Sequence, residues 1–303
     1  MERVWGGKRL STYGKSLPNG IPIGELWELV DREDVQSVVH SGPLRGKTLN
    51  TLWQKERAKI FGSRFVNFAS SRFPLLFKLL DAHSRLSVQV HPPERIAAFL
   101  NGQPKTEMWY FLDADPGAKV YAGLKKGTTK KQFEELLTSG HVEEVLHEIP
   151  VQVGGSIFIP SGRVHAIGEH NVIVEIQQNS DTTFRVYDWN RLGLDGCPRQ
   201  LHIHESLASI DFEDFEPRIQ PPGQDLVADC NFFRVRFIKF SEPFAARDAE
   251  EFSIYTVVMG RVRCGGEEFP VGHFFLVPAE LHATMIQPVN GEAAVLQTTL
   301  PTS

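Results

Sequence analysis

Ser87-Val-Gln-Val-His91 and Pro160-Ser-Gly-Arg-Val-His165 are the two segments that decide how this chain folds. In the first, three polar residues alternate with two valines, so a β-strand would place the polar side chains together on one face. The strongly apolar segment Phe73-Pro-Leu-Leu-Phe-Lys-Leu-Leu80 comes shortly before it, so we expect the polar face to line a cavity instead of meeting water. Pro92-Pro93 ends the strand, because proline has no N–H group to offer a neighbouring strand.

Both segments offer side chains that bind metal ions. Gln89 and His91 share one strand face, and His165 follows a turn that contains proline and glycine. Lys105-Thr-Glu107 adds a carboxylate just before the next apolar run. Two imidazoles, one carboxylate and one amide oxygen suit a zinc-like divalent ion that keeps a position open for a substrate. Spacing alone does not separate this interpretation from a set of hydrogen-bonded buried polar groups.

Composition places the chain among globular proteins. It has 303 residues, of which 41% are hydrophobic and 23% charged, enough for one large or two ordinary domains. The formal net charge is -5, and no basic block points to nucleic acid as a partner.

The three cysteines and the chain start bear on the compartment. Cys197, Cys230 and Cys264 lie far apart, in no metal-binding or redox spacing, which favours a reducing compartment. The first residues contain no apolar run typical of a signal peptide, and no segment approaches the roughly 20 apolar residues of a membrane span. We therefore expect a cytoplasmic protein without a membrane partner.

Hydrophobic periodicity predicts a chain made mainly of short strands. Helical spacing is found at Thr48–Phe61, Glu94–Leu100, Thr129–Gly140, Val142–His147 and His204–Ile210. Strands are predicted at Gly24–Trp27, Ser37–His40, Leu76–Leu80, Leu86–His91, Glu107–Leu112, Ala118–Ala122, Ser156–Pro160, Ala166–Ile167, Val172–Gln178, Thr182–Asp188, Phe232–Phe240, Phe252–Met259, Phe274–Val277 and Ala294–Thr299. Short strands at this spacing indicate barrels or sandwiches.

A short internal sequence repeat suggests that the chain contains two related barrels. Gly155-Ser-Ile-Phe-Ile-Pro160 is similar to Gly272-His-Phe-Phe-Leu-Val-Pro278, and each is followed by a histidine, His165 or His282. No carboxylate or second histidine stands near His282, so we expect no metal in the second barrel.

The predicted domains follow the chain. Residues 1–215 would form a barrel with N-terminal strands and a helical insert at about 128–147. Residues 216–225 would form a connector rich in proline, and residues 226–303 a small second barrel that covers and stabilises the first.

Several motifs resemble a known family. Gly154, Pro160-Ser-Gly162 and His165 resemble the second cupin motif, and His91 and Glu107 resemble a stretched form of the first. More specifically, five segments resemble class I (type I) mannose-6-phosphate isomerases in their short bacterial form. They are Trp5–Gly7, Gly24–Trp27, Leu86–Pro92, Lys105–Glu107 and Glu175–Trp189. The likeness covers most of the first 215 residues, and the segment from 226 matches loosely.

The resemblance implies two cupin-type jelly-roll β-barrels and a zinc enzyme that interconverts mannose 6-phosphate and fructose 6-phosphate. It assigns one Zn2+ per chain, or another divalent metal, to Gln89, His91, Glu107 and His165. It also implies a substrate pocket that contains Ser87, Lys105, Glu175 and Arg185. The partner is then a small sugar phosphate, and we expect a monomer or weak homodimer.

The chemistry of isomerisation suits these residue types. A proton moves between C1 and C2 through an enediol, and a cation with one anionic ligand stabilises the negative charge that develops. Glu175, or Lys105 if its pKa is depressed, could be the base. Arg185 would hold substrate oxygens or the phosphate.

Other interpretations remain open at this level. Lys105 could only neutralise Glu107, Ser87 could be an ordinary strand residue, and Glu175 with Arg185 could be a structural ion pair. Asp181 and Asp188 are interpreted as turn-stabilising residues. A non-catalytic cupin that binds or senses sugar phosphates, or a cupin isomerase of another sugar, would share the barrel.

Overall fold

The computed structural model describes residues 1–246, 251–281 and 283–301. Its strands are β1 Glu2–Gly7, β2 Glu25–Leu29, β3 Leu75–Ala82, β4 Val88–Val90, β5 Glu107–Ala114, β6 Lys119–Leu124, β7 Leu146–Pro150, β8 Ser156–Ile159, β9 His165–Ile167, β10 Asn171–Gln178, β11 Phe184–Tyr187, β12 Leu226–Asp229, β13 Arg234–Phe240, β14 Phe244–Ala245, β15 Ser253–Met259, β16 Arg261–Cys264, β17 Glu267–Pro270, β18 Phe274–Val277, β19 Met285–Pro288 and β20 Ala293–Thr299. Its α-helices are α1 Leu49–Lys55, α2 Arg57–Ile60, α3 Glu94–Ala97, α4 Lys130–Ser139 and α5 Ile203–Ser209. Short 3-10 helices lie at Arg9–Tyr13, Ser63–Phe65, Ala98–Leu100 and Val142–Val145.

The strands form two pairs of sheets with similar strand order, and the second pair has fewer strands than the first. The first pair has the orders β1-β3-β10-β5-β8, with β2 beside β3, and β11-β4-β9-β6-β7. The second pair has the orders β12-β13-β20-β15-β18 and β14-β19-β16-β17. The two similar segments, 155–160 and 272–278, occupy equivalent positions in the two sheet pairs, because β8 lies beside β5 and β18 lies beside β15. A mainly β fold with two related sheet pairs confirms the predicted fold class.

Contacts divide the chain into two compact units that do not run simply in chain order. One contains residues 1–11, 16–26 and 78–222, and the other contains residues 12–15, 27–77 and 223–303. The division into domains at 1–215, 216–225 and 226–303 stays a prediction.

Apolar side chains of the first sheet pair meet in a core that supports the strands of the site. One cluster includes the fully buried Trp109, Phe111 and Ile159 together with Leu80 and Leu86. Trp109 and Phe111 share one face of β5 with Glu107, so the apolar cluster continues directly from the polar position at the start of that strand. Burial of such side chains contributes about 1.5–3 kcal/mol each, so the polar positions are held by a stable scaffold.

Helix α4 forms as predicted because both of its ends are capped. Thr129 accepts a hydrogen bond at its side-chain oxygen from the N–H of Gln132, over 3.2 Å. Gly140 ends the helix in the left-handed conformation, with φ of 79°.

Two secondary-structure predictions are wrong and one needs revision. The predicted helix Val142–His147 is a 3-10 turn followed by β7. The strand forms because β7 pairs with β6, and this pairing buries Leu146 and Ile149. The predicted strand Ser37–His40 forms only an isolated bridge between Val38 and Thr48. The predicted helix Thr48–Phe61 is divided into α1 and α2 at Glu56, whose φ is -122°.

No helix within the described ranges is both long and apolar enough to span a bilayer. All three cysteines, Cys197, Cys230 and Cys264, are free thiols.

Candidate metal centre

Three potential ligands from separate strands converge inside the first sheet pair. His91 follows β4, Glu107 begins β5 and His165 begins β9, and the side chains of all three are fully buried. One ligand atom from each lies within 4.8 Å of the others. The Nε2 atom of His91 is 3.4 Å from Oε2 of Glu107, and Nε2 of His165 is 3.6 Å from Oε1.

Backbone contacts fix the tautomers of both imidazoles. Nδ1 of His91 lies 2.9 Å from the carbonyl oxygen of Thr182, and Nδ1 of His165 lies 2.9 Å from that of Arg163. A carbonyl oxygen only accepts hydrogen bonds, so each Nδ1 carries the hydrogen and each Nε2 presents a lone pair.

Burial keeps these imidazoles neutral. Together with the charge of Lys105, burial lowers the pKa of His91 to about 4, despite the opposing effect of Glu107. Burial also lowers the pKa of His165, although the Glu107 carboxylate opposes this. Near neutral pH both rings therefore offer unprotonated Nε2 atoms.

The three side chains form a buried cluster of electron-pair donors, which is suited to binding a cation. Two nitrogen lone pairs face one carboxylate, and within the described part of the chain Nε2 of His91 makes no hydrogen bond. Uncompensated acceptors in a buried site are costly, whereas a divalent ion bound between them would satisfy all three. Two imidazoles and a carboxylate are a common ligand set for catalytic zinc. The residues present therefore fit a metal ion.

Gln89 lies beside the three convergent ligands. It pairs with His165 in the register of β4 and β9, and its amide nitrogen is 3.2 Å from Nε2 of that histidine. The amide has an oxygen and a nitrogen in equivalent positions, so a half-turn of the group would present the oxygen. The position is compatible with the amide ligand predicted from the sequence.

Two neighbours orient the Glu107 carboxylate. The indole N–H of Trp109, fully buried on the same strand, donates to Oε1 over 3.0 Å. The ammonium of Lys105 lies 2.9 Å from Oε2. Burial alone would raise the pKa of Glu107, but Lys105 and then the two histidines lower it well below its usual range. The carboxylate therefore remains ionised.

Lys105 could serve as the base only if its pKa were depressed, and its surroundings act in the opposite direction. Burial alone would lower the pKa of Lys105, but the carboxylates of Glu107 and Glu175 raise it above its ordinary value. Lys105 therefore holds its proton and acts as a hydrogen-bond donor, which leaves Glu175 as the base candidate.

A cavity of about 310 Å³ opens beside these ligands. It is lined by Arg3, Trp5, Glu25, Lys78, Leu80, Leu86, Ser87, Gln89, Lys105, Glu175, Asp181, Thr183, Arg185 and Arg199. The lining includes every residue that the family resemblance placed in the substrate pocket: Ser87, Lys105, Glu175 and Arg185. Gln89 and Lys105 connect it to the buried ligands.

Glu175 lies in the middle of β10 and is buried against two lysines. Its Oε1 is 3.1 Å from the ammonium of Lys78 and 3.9 Å from that of Lys105. Among the described residues no ion pair joins Glu175 to Arg185, so the structural pair considered from the sequence is not formed. Lys78 was missed by sequence reasoning, although a single charge within the apolar run 73–80 was a visible signal.

Arg185 stands on β11 opposite Gln89 of β4. Its Nη1 donates to the carbonyl oxygen of Gln200 over 2.7 Å, while His202 bonds both main-chain groups of Arg185. Its Nε is buried and makes no hydrogen bond within the described residues. Burial, followed by the charge of Arg199, lowers the pKa of Arg185 from its usual high value. The guanidinium group of Arg185 is thus held in place, and its Nε–H remains available to donate a hydrogen bond to a ligand.

The second sheet pair contains one of the two histidines considered from the sequence. Nε2 of His273 is 3.2 Å from the carbonyl oxygen of Tyr13. His282 lies outside the described residues. The absence of metal from this part of the chain stays a prediction.

Comparisons with known proteins show which family this chain resembles in sequence and fold. The family model described as phosphomannose isomerase type I, catalytic domain, matches residues 1–139. Mannose-6-phosphate isomerase ManA of Bacillus subtilis is 34% identical over 290 residues, which cover 91% of this chain and 90% of that protein. A crystal structure of mannose 6-phosphate isomerase from Bacillus subtilis matches with a TM-score of 0.84 and 29% identity, covering 99% of this chain and 96% of the other. A zinc-bound mannose 6-phosphate isomerase shares the fold, with a TM-score of 0.71 at 16% identity and coverage of 99% and 97%.

Proposed function

Because this chain belongs to the type I phosphomannose isomerase family, we propose that it is a metal-dependent isomerase that interconverts mannose 6-phosphate and fructose 6-phosphate. The observation that supports this best is the convergence of His91, Glu107 and His165 beside a cavity lined by Glu175 and Arg185. A binding protein would need the cavity but would have no use for a base and a metal ion next to each other.

The proposed metal ligands are Gln89, His91, Glu107 and His165, and the proposed metal is one Zn2+ per chain. The ligand set suits zinc, and the zinc-bound isomerase of the same fold is consistent with that choice. An ion held by these residues would supply Lewis-acid chemistry, which would stabilise negative charge on the sugar oxygens during isomerisation.

Glu175 is the proposed base that moves a proton between C1 and C2 of the open-chain sugar. Its carboxylate lines the cavity, and Lys78 at 3.1 Å fixes one of its oxygens. Lys105, which retains its proton, would donate a hydrogen bond to a sugar oxygen as negative charge develops there. Lys78 thereby holds the anionic base in position, and Lys105 itself serves as the hydrogen-bond donor.

Arg185 is the proposed cation for the oxygens of the substrate. Its side chain is held by Gln200, and its Nε has no competing partner within the described residues. A fixed guanidinium stabilises developing charge without reorganising, which is the main source of electrostatic catalysis. Ser87 would contribute a hydroxyl to the same cavity.

A coupled assay tests the proposal. Purified protein is incubated with mannose 6-phosphate, and fructose 6-phosphate is measured before and after treatment with a chelator. We expect turnover that the chelator abolishes and that zinc restores. Binding of mannose 6-phosphate without any turnover in zinc-loaded protein would favour the non-catalytic sugar-phosphate binder instead. A cytoplasmic location and a monomeric or weakly dimeric state stay predictions.

A further inference from the structure

Most charged groups that line the cavity are already paired. Arg3 bonds Glu25, Lys78 lies against Glu175, and Lys105 lies against Glu107. These three pairs cancel to a first approximation. Asp181 also lines the cavity, and its charge reaches Lys105.

Positive charge is in excess at the part of the cavity that contains Arg185 and Arg199. Both side chains line the cavity, and one buried carboxylate, that of Asp188, lies nearby. Arg191 and Arg199 both form ion pairs with Asp188, and the charge of the same carboxylate also acts on Arg185. The excess of positive charge favours an anionic group of the ligand at this part of the cavity.

Arg199 is held rigidly with part of its guanidinium still available. Its Nε donates to Oδ2 of Asp188 and its Nη2 donates to Oδ1, both over 2.6 Å. This two-oxygen contact fixes the plane of the group, and no hydrogen bond of Nη1 is found among the described residues. Asp188 therefore does more than stabilise a turn, because it orients a cation that lines the cavity.

The order of strands places Arg199 away from the reacting end. β9 with His165, β4 with Gln89 and β11 with Arg185 are consecutive neighbours, and β11 is the last strand of its sheet. The segment that follows Arg199 lies along β11, since the His202 N–H donates to the carbonyl oxygen of Arg185 and the Arg185 N–H donates to Nδ1 of His202. Neighbouring strands are about 5 Å apart, so this segment lies about 10 Å from the strand of Gln89. An open-chain hexose can span such a distance with its C1 end at the metal ligands and its C6 substituent at Arg199.

We infer that Arg199, oriented by Asp188, recognises the phosphate group of the substrate and so determines the preference for phosphorylated over free sugars. Resting on the proposed isomerase function, this inference adds a specificity residue. Arg185 remains the cation of the sugar oxygens in this arrangement. Arg199 forms charge-assisted hydrogen bonds with the phosphate that are the same in the ground state and the transition state.

Steady-state kinetics of Arg199→Gln tests the inference. We expect the KM for mannose 6-phosphate to rise about tenfold to a hundredfold, because charge-assisted hydrogen bonds are lost. The kcat should stay within about twofold, because uniform binding energy does not enter the chemical step. Competitive inhibition by inorganic phosphate should weaken in parallel. Arg234→Gln, which removes a partly exposed arginine paired with Asp229, controls for the change in total charge.

The results separate this inference from its alternatives. An unchanged KM and an unchanged inhibition constant for phosphate in folded Arg199→Gln would overturn it. A purely structural role would lower the melting temperature and kcat while leaving phosphate inhibition intact, which would overturn it as well. If Arg199→Gln fails to fold, Arg199→Lys decides: we expect at least a threefold rise in KM, because an ammonium cannot keep both contacts. Wild-type protein that does not convert mannose 6-phosphate would instead refute the proposed function.

Discussion

Replacing Trp109 by phenylalanine should weaken metal binding from a position that does not touch the metal. The indole N–H donates to Oε1 of Glu107 over 3.0 Å, and both residues are fully buried. Phenylalanine keeps an aromatic ring but removes this donor, so the carboxylate loses one of the contacts that orient it. Loss of such a supporting hydrogen bond typically weakens metal affinity by about 10- to 100-fold, or about 1.4–2.7 kcal/mol.

The same substitution should also lower the free energy of unfolding of the metal-free protein. A buried acceptor without its donor costs about 1–3 kcal/mol. Trp53→Phe is a matched control, because the Trp53 indole is also fully buried and donates over 3.0 Å to the carbonyl oxygen of Ser70. We expect the two variants to lose similar stability, and only Trp109→Phe to lose zinc affinity.

Competition with a chromophoric chelator measures the zinc affinity, and denaturant unfolding measures stability. Wild-type zinc affinity in folded Trp109→Phe would refute the proposed role of Glu107 as a ligand oriented by Trp109. An equal loss of affinity in Trp53→Phe would show that the effect is general destabilisation.

Three further predictions concern the base, the cation and the histidines. Arg185→Ala should lower kcat by about 10²–10³ with normal zinc content, and Arg185→Lys should recover part of it; near-normal turnover of the alanine variant would contradict the proposal. Lys78→Met should lower kcat and destabilise the protein by about 3–5 kcal/mol, because Glu175 is then buried with one partner less; adding Glu175→Gln should recover stability in denaturant unfolding but not turnover. The pKa of His91 is depressed from 6.5 to about 4 in the folded protein, so as the pH falls the unfolded chain binds this proton at a higher pH than the folded chain does. The metal-free protein should therefore lose up to about 3 kcal/mol of stability as pH falls from about 6.5 to 4, and His91→Asn should lose less over that range; an identical pH dependence of both proteins would contradict this.

Local sequence patterns were sufficient for the strands that carry the ligands. The alternation around Gln89 and His91 gave the correct polar face, and the capping residues Thr129 and Gly140 gave the correct bounds of α4. In both cases the deciding interactions lie within a few residues of each other, so the sequence pattern contains the information.

Pairings between distant segments could not be predicted in the same way. Lys78 and Glu175 meet because β3 lies next to β10, and Arg199 reaches the cavity because the segment after it follows β11. The direction in which the pKa of Lys105 shifts could not be read from the sequence, because burial and neighbouring carboxylates act oppositely and only distances decide which effect prevails. The segment Val142–His147 is a further example, because its helical spacing predicted a helix whereas pairing with β6 makes its last residues part of a strand.

A zinc titration of the metal-free protein, with mannose 6-phosphate isomerisation as the readout, tests the proposed metal centre most directly. The bound zinc and the turnover rate are measured on the same samples. If His91, Glu107 and His165 hold the catalytic ion, turnover should rise in proportion to bound zinc and stop rising at about one ion per chain. Full turnover by protein shown to contain no metal, or full zinc binding without turnover, would contradict the account.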